Sequence, residues 1–232
     1  MYPARWPARL AIAQAILHGL GFTGVHFTLI EANEASSLEA ALGGLSPAAV
    51  PPAAAFDLFD DKRATLEFAI EHLARHAREK RAEITLPEGA PYGEVLVDKR
   101  RCTLCMACVG ACPASALIDT PDYPRLRFIE RNCVQCGLCE KTCPEDAIRL
   151  SPRLLLPPAS KEARVLNEAT PFHCVRCGKP FATEQMVTTM LAKLAGHSMF
   201  AGGAALNRLR MCADCPVADM MENRNEMRIT DS

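Results

Sequence analysis

The chain has 232 residues, including 12 cysteines, and its 26 basic and 27 acidic side chains leave a formal net charge of −1. This balance gives no reason to expect a nucleic acid or an acidic surface as a partner. Aromatic residues make up only 6% of the chain, whereas Gly and Pro contribute 13 and 17 residues. The composition favours several small modules joined by turns over one large core. No apolar run is long enough to cross a bilayer, so the sequence predicts no membrane span.

Residues 1–48 predict a partial α/β unit. Leu10, Ile16 and Leu20 lie on one face of a helix that Gly21 ends. Residues 25–31 alternate apolar and polar side chains and predict a strand, and residues 37–42 predict a second helix. One such unit cannot bury a parallel sheet by itself. We therefore interpret it as the remnant of a larger α/β domain, and we expect the chain to be a truncated or divergent version of a longer protein.

Residues 49–93 predict a linker followed by an amphipathic helix. The linker is rich in proline, and Leu66, Ile70 and Leu73 mark the buried stripe of a helix from about residue 60 to 81. His72 and His76 are four residues apart on this helix and could ligate a metal ion. Because no third ligand is offered nearby, a solvated helix face is the favoured interpretation.

Residues 94–152 contain two copies of one cysteine spacing, C-x2-C-x2-C-x3-C-P, offset by 31 residues. This spacing binds [4Fe–4S] clusters in bacterial ferredoxins, where the fourth cysteine of each copy ligates the other cluster. The sequence therefore predicts a two-cluster ferredoxin module. The predicted ligands of cluster one are Cys102, Cys105, Cys108 and Cys143, and those of cluster two are Cys133, Cys136, Cys139 and Cys112.

The charge of this module bears on its role. Residues 94–150 contain eight basic and eight acidic side chains. A freely diffusing carrier uses a strong net charge to steer towards its partners. The balanced module therefore favours a subunit or a domain built into a larger redox complex.

Beyond a predicted linker at residues 153–170, residues 171–222 predict a small metal module. It contains the pairs Cys174 with Cys177 and Cys212 with Cys215, which are typical of a tetrahedral site with four sulfur ligands. A predicted helix fills the gap between the pairs, and a second helix follows Cys215, as in zinc-ribbon or treble-clef folds. Structural zinc is the favoured metal, with a rubredoxin-like iron or a further cluster as the alternatives. Residues 223–232 predict a polar tail.

Four segments carry a resemblance to a known family. They are APYGEVLVDKRRCTLCMACVGACP (Ala90–Pro113), CVQCGLCEKTCPEDAI (Cys133–Ile148), PFHCVRCGKPF (Pro171–Phe181) and RMCADCPVADMM (Arg210–Met221). With these segments the chain resembles bacterial multidomain 4Fe–4S dicluster proteins associated with formate dehydrogenase gene clusters. The unit at residues 10–31 is similar to the end of the domain found in the delta subunit of methyl-viologen-reducing hydrogenase. The resemblance implies a partner such as a molybdenum- or tungsten-dependent oxidoreductase.

These observations predict an α+β protein in which a two-cluster ferredoxin-like module is flanked by a partial α/β unit and a small four-cysteine module. The expected function is electron transfer, with no catalytic residues in this chain. The alternative is a docking or maturation factor for a metalloenzyme, with structural clusters and zinc. The expected location is cytoplasmic, because thiolates kept for clusters need a reducing compartment.

Overall fold

The structure is a computed structural model that describes residues 6–46, 48–57, 60–120, 123–200 and 203–222. The helices of these residues are α1 (Trp6–Gly19), α2 (Ala35–Gly43), α3 (Lys62–Arg75), α4 (Ala107–Gly110), α5 (Leu138–Thr142), α6 (Glu184–Leu194), α7 (Gly203–Arg208) and α8 (Cys215–Glu222). The strands are β1 (Glu83–Thr85), β2 (Gly93–Val97), β3 (Leu117–Thr120), β4 (Tyr123–Ile129), β5 (Ile148–Leu155), β6 (Ala163–Glu168), β7 (Pro171–His173) and β8 (Pro180–Thr183). The presence of both helices and sheets confirms the prediction that the protein mixes α and β structure.

The strands form three small sheets, in the orders β1-β5-β2, β3-β4-β6 and β7-β8. The chain divides into two units. The first comprises Met1–Glu94, Ile129–Cys136 and Leu150–Glu162, and the second comprises Val95–Phe128, Gly137–Arg149 and Ala163–Ser232. Neither unit is one continuous stretch of sequence, and the second cysteine repeat is divided between them.

The first unit is built around an apolar core beneath α1 and α3. Leu20 and Phe22, at the end of α1, are buried together with Ile70 of α3 and Ile84 of β1. Asp61 caps the start of α3, because its carboxylate accepts hydrogen bonds from the free backbone N–H groups of Arg63 and Ala64. Strand β1 pairs antiparallel with the end of β5. The amphipathic helix predicted near residues 60–81 therefore forms, but it ends at residue 75.

The strand predicted over residues 25–31 was wrong. In the described chain these residues have no strand conformation, and Val25, Phe27 and Leu29 are exposed. A strand needs a neighbour that satisfies its backbone N–H and C=O groups. Among the described residues none pairs with this segment, so alternation of side chains alone did not produce a strand. The helices predicted on either side of it are present as α1 and α2.

The second unit contains the hairpin β3–β4, with Leu117 opposite Phe128. Both of these side chains are buried, and β6 pairs along the other edge of β4. Strand β6 lies within residues 153–170, where the sequence predicted only a linker. Helices α4 and α5 pack against each other, and a second hairpin, β7–β8, precedes α6.

Candidate functional site

The two cysteine repeats share a backbone conformation at three equivalent positions. A positive φ is unfavourable for residues other than glycine, because Cβ approaches a carbonyl oxygen. Positive φ angles occur at Leu104 (57°), Met106 (60°) and Ser115 (48°) in the first repeat, and at Gln135 (54°), Gly137 (78°) and Asp146 (46°) in the second. Each residue of the second set follows its counterpart by 31 positions, which is the offset of the cysteines. The duplicated spacing thus corresponds to a duplicated loop conformation.

Four cysteines of the second unit line one cavity. Cys102, Cys105 and Cys108 belong to the first repeat, and Cys143 belongs to the second. The cavity encloses about 330 Å³ of space, part of it open to solvent. Cys105 is exposed and Cys108 is buried, so the cavity has one edge that reaches the surface. The fold brings together the four residues that the sequence assigns to cluster one.

The chemistry of these four side chains fits a cationic iron centre. Burial, and next the charges of Cys102 and Cys105, raise the pKa of the Cys108 thiol to about 12. Such a group stays protonated near neutral pH unless a cation is present. A coordinating metal removes this penalty because it deprotonates its thiol ligands outright. The donor set therefore suits a metal cluster better than a group of free thiols.

The fourth cysteine of each repeat receives a backbone hydrogen bond. The N–H of Ala116 donates to Sγ of Cys112 at 3.3 Å, and the N–H of Ala147 donates to Sγ of Cys143 at 3.3 Å. The two donors and the two sulfurs are again related by 31 residues. Such bonds stabilise a thiolate, and hydrogen bonds to sulfur are one of the factors that set cluster potentials.

The cysteines predicted for cluster two are divided between the two units. Cys133 and Cys136 belong to the first unit, and Cys112 and Cys139 belong to the second. Their assignment to one cluster remains a prediction from the spacing. Within the first unit, the side-chain amide of Gln135 donates to Sγ of Cys133 at 3.4 Å. This sulfur is therefore already oriented by its own loop.

Helix α3 supports the start of the second repeat through Arg63, a residue that the sequence analysis missed. Its guanidinium donates to the carbonyl oxygens of Pro91 at 2.8 Å, Cys133 at 2.9 Å and Arg131 at 3.1 Å. The group also lies 4.0 Å from the ring centroid of Tyr92. Burial lowers the pKa of Arg63, although the guanidinium remains charged. Nothing in the local sequence indicates these contacts, which join residues 28, 68 and 70 positions apart.

The C-terminal pairs form a compact site with four sulfur ligands. The Sγ atoms of Cys174, Cys177, Cys212 and Cys215 all lie within 4.8 Å of one another. Those of Cys177 and Cys212 are 3.7 Å apart. Three of the four cysteines are buried and Cys177 is exposed. This arrangement places four soft donors around one point, which fits a single metal ion.

The first pair lies in the turn of the β7–β8 hairpin. Gly178 has a φ of 75°, and its N–H donates to the carbonyl of Cys174 at 2.9 Å. Burial opposes ionisation of Cys174, but backbone hydrogen bonds from Cys177 and Cys212 outweigh it and lower the pKa of Cys174 to about 6. Burial raises the pKa of Cys215 to about 12, and hydrogen bonds with the other thiols add to the effect. Metal binding is what allows all four sulfurs to be thiolates together.

Comparison with protein families supplies the observation that decides the class of the central module. Residues 101–148 match the family model described as a 4Fe-4S dicluster domain. This segment is an iron–sulfur ferredoxin-type domain. The matched residues include all eight cysteines of the two repeats. Iron–sulfur binding and metal binding by the cysteines, predicted from their spacing, are confirmed at that level. No curated protein matches the chain significantly.

Two further predictions concern the rest of the chain. In the part of the chain that the structure describes, no helix is both long and apolar enough to cross a membrane. On α3, the rings of His72 and His76 have centroids 4.6 Å apart, and Nε2 of His72 lies 2.8 Å from the carbonyl of Pro52. Among the described residues, the C-terminal cysteines are the only group of three or more potential ligands whose ligand atoms all lie within 4.8 Å of one another, and neither histidine belongs to such a group.

Proposed function

We propose that this chain transfers single electrons through two [4Fe–4S] clusters. The observation that carries the proposal is the match to the dicluster domain, together with the cavity that Cys102, Cys105, Cys108 and Cys143 share. When bound, each cluster takes up and releases one electron at a potential that the surrounding protein tunes. The chain itself supplies the thiolates, the N–H donors to Cys112 and Cys143, and the limited solvent access.

The position of Cys143 supports crossed ligation. Three cysteines of the first repeat require a fourth ligand, and Cys112 of the same repeat does not line their cavity, whereas Cys143 does. By the internal symmetry of the repeats, Cys112 completes the second set, which comprises Cys133, Cys136 and Cys139. This is the ligand arrangement of bacterial two-cluster ferredoxins.

The metal of the C-terminal site is proposed to be zinc. With Zn–S bonds of about 2.3 Å, a tetrahedral ion separates its sulfurs by about 3.8 Å. The 3.7 Å between the sulfurs of Cys177 and Cys212 fits this geometry. A [4Fe–4S] cluster holds its cysteines on the outer corners of a cube, farther apart than this spacing. Because zinc has no redox chemistry, its role here is to hold a zinc-ribbon or treble-clef-like module together.

The chain is proposed to act as a subunit or partner of a larger redox complex, such as a formate dehydrogenase system. The catalytic site then lies on another chain, for instance a molybdenum or tungsten oxidoreductase. The equal numbers of acidic and basic residues in residues 94–150 support a built-in position rather than free diffusion. Cluster thiolates also need reducing conditions, which supports a cytoplasmic location.

A second candidate function is docking or maturation of a metalloenzyme, with structural clusters. Helix α8, which begins at the proposed zinc ligand Cys215, exposes the large apolar side chains of Val217, Met220 and Met221. Flexible methionines on an exposed surface suit contact with a partner protein. In that case the clusters would hold the fold together without cycling between oxidation states.

Anaerobic purification followed by metal analysis and EPR separates these functions. Electron transfer requires about eight iron and eight sulfide per chain. It also requires a reduced signal that appears with dithionite and disappears on reoxidation, and the zinc content should be about one per chain. Clusters that remain redox-silent over the whole accessible potential range would contradict electron transfer and favour docking. Zinc in place of iron at residues 101–148 would likewise contradict electron transfer and favour docking.

A further inference from the structure

The loop that begins the first cysteine repeat is held by side chains from the C-terminal part of the chain. The hydroxyl of Thr183 donates to the carbonyl oxygen of Thr103 at 3.1 Å, and both residues are buried, 2% and 5% exposed. The amide of Asn167, 6% exposed, donates to the carbonyl of Cys102 at 3.4 Å. Gln185 donates to the carbonyl of Arg100 at 2.6 Å. All of these residues belong to the second unit.

Thr183 occupies the junction of two elements of the C-terminal four-cysteine module. It is the last residue of β8, where it pairs with Pro171 of β7, and its oxygen accepts from the N–H of Met186 to cap α6. The turn of the same hairpin contains Cys174 and Cys177. A continuous path therefore runs from the C-terminal metal ligands along the hairpin to the Thr183 hydroxyl, and from there to the cluster-binding loop.

The hydrogen bonds from Thr183 and Asn167 fix the orientation of two peptide groups beside the cavity that the cluster-one cysteines line. In a trans peptide the C=O and the following N–H point to opposite sides of a rigid plane. The hydrogen bonds to the carbonyls of Cys102 and Thr103 thus fix the N–H groups of Thr103 and Leu104. Cys102, Thr103 and Leu104 all line the cavity with the cluster-one cysteines. Backbone N–H groups and solvent access near cluster sulfurs are known determinants of potential.

We propose that Thr183 is a positioning residue through which the C-terminal four-cysteine module holds the loop that begins the first cysteine repeat. The potential and the stability of cluster one then depend on the Thr183 hydroxyl, whereas those of cluster two do not. The inference rests on the proposed cluster binding. Asn167 and Gln185 help to hold the same loop through their hydrogen bonds to the carbonyls of Cys102 and Arg100. The C-terminal metal site thereby contributes to electron transfer without carrying electrons.

The test compares Thr183→Val with Thr183→Ser in the full, cluster-loaded chain. Valine keeps the shape but loses the hydroxyl, whereas serine keeps both the donor and the cap. Each protein is treated anaerobically with bathophenanthroline disulfonate, and the released cysteines are trapped with iodoacetamide and mapped by mass spectrometry. In Thr183→Val, Cys102, Cys105 and Cys108 should react about tenfold faster, the change expected for one lost buried hydrogen bond.

The controls distinguish a local effect from general damage. Cys133 and Cys136 should react at the parent rate in both variants, and Thr183→Ser should match the parent throughout. An EPR-monitored redox titration should show that only one of two potentials shifts in Thr183→Val. Equal acceleration at all cluster cysteines, or no acceleration in a loaded protein, would overturn the inference alone. A parent protein whose eight cysteines react at once would overturn the proposed function and this inference with it.

A second variant keeps the test decisive where Thr183→Val does not retain its C-terminal metal. Gln185→Ala removes an exposed side chain in the first turn of α6 and leaves the Thr183 cap intact. It should accelerate alkylation of the same three cysteines of the first repeat by a smaller factor. Unchanged rates in Gln185→Ala, with its full zinc content, would then reject the coupling.

Discussion

Met106 and Gly137 occupy equivalent positions in the two cysteine repeats, and both have left-handed backbone conformations, with φ of 60° and 78°. The second repeat thus carries glycine where the first repeat has a side chain that must adopt the same unfavourable φ. A substitution at Gly137 isolates this cost, because no atom lies within 4 Å of a Cβ built there.

Gly137→Ala should lower the free energy of unfolding by about 1 kcal/mol, because a left-handed φ is unfavourable for alanine. Gly110→Ala is the matched control. Gly110 also has open space around it, but it lies in α4 and has no positive φ. There alanine should be neutral or stabilising by up to about 1 kcal/mol. Anaerobic guanidinium unfolding followed by circular dichroism measures both, and equal effects of the two substitutions would refute the conformational explanation.

The ligand exchange between the repeats can be tested with Cys143→Ser and Cys112→Ser. Crossed ligation predicts that Cys143→Ser loses the cluster of the first repeat, so that Cys102, Cys105 and Cys108 become reactive towards iodoacetamide. Cys112→Ser should release the cysteines of the second repeat instead. Iron content should fall by about half in each variant, to about four per chain. If Cys143→Ser exposed the other cysteines of its own repeat, the assignment would have to be reversed.

Arg63→Met should destabilise the second repeat while keeping a side chain over Tyr92. The substitution removes the three hydrogen bonds that the charged guanidinium donates to the carbonyls of Pro91, Arg131 and Cys133. The expected loss is about 2 kcal/mol in the free energy of unfolding. Arg75→Met, an exposed position at the end of the same helix, should change it by less than about 0.5 kcal/mol. Similar losses in both variants would mean that the carbonyl contacts contribute little.

Arg153 pairs with three acidic residues at the end of the first sheet. Its guanidinium bonds both carboxylate oxygens of Glu130, which is 5% exposed, and it also pairs with Glu83 and Glu94. The hydrogen bond with Glu130 is the main reason that the pKa of Arg153 is raised. Arg153→Met should lower the free energy of unfolding by about 3 kcal/mol or more, because it leaves Glu130 as a buried charge with its main partner removed.

The double variant Arg153→Met with Glu130→Gln should recover part of that loss, because the buried charge is then gone. Arg81→Met, which removes the exposed pair with Glu79, should cost less than about 1 kcal/mol. Thermal unfolding by calorimetry under anaerobic conditions gives the comparison. A double variant no more stable than Arg153→Met would show that the buried charge of Glu130 is not the source of the loss.

Cys177→Ser should abolish metal binding at the C-terminal site, because the proposed zinc ion needs all four of the sulfurs that lie within 4.8 Å of one another. Zinc content should fall to near zero, and the module at residues 171–222 should become sensitive to proteolysis, since such modules fold with their metal. His173→Ala is the control: it changes the exposed neighbour of Cys174 and should retain zinc. Retention of zinc in Cys177→Ser would point to a histidine that replaces the missing sulfur.

Local patterns predicted the parts of this molecule that depend on neighbouring residues. The C-x2-C-x2-C-x3-C-P spacing predicted an iron–sulfur domain because a tight loop positions thiolates at short range. Helices α1 and α3 followed from the spacing of apolar residues, and the helix predicted between the two cysteine pairs is present as α6. The grouping of four cysteines from distant pairs in one site also followed, because two C-x2-C pairs already limit the choice of ligands.

Only the tertiary structure decided what depends on distant partners. Residues 25–31 alternate like a strand but do not form one, because a strand exists only where another backbone completes its hydrogen bonds. Strand β5 continues to Leu155, beyond the predicted end of the ferredoxin module at residue 152, because β1 pairs with it there. The contacts of Arg63 with Cys133 and of Thr183 with Thr103 join residues 70 and 80 positions apart. A carbonyl group is present at every residue, so the sequence carries no mark of which one a distant donor will reach.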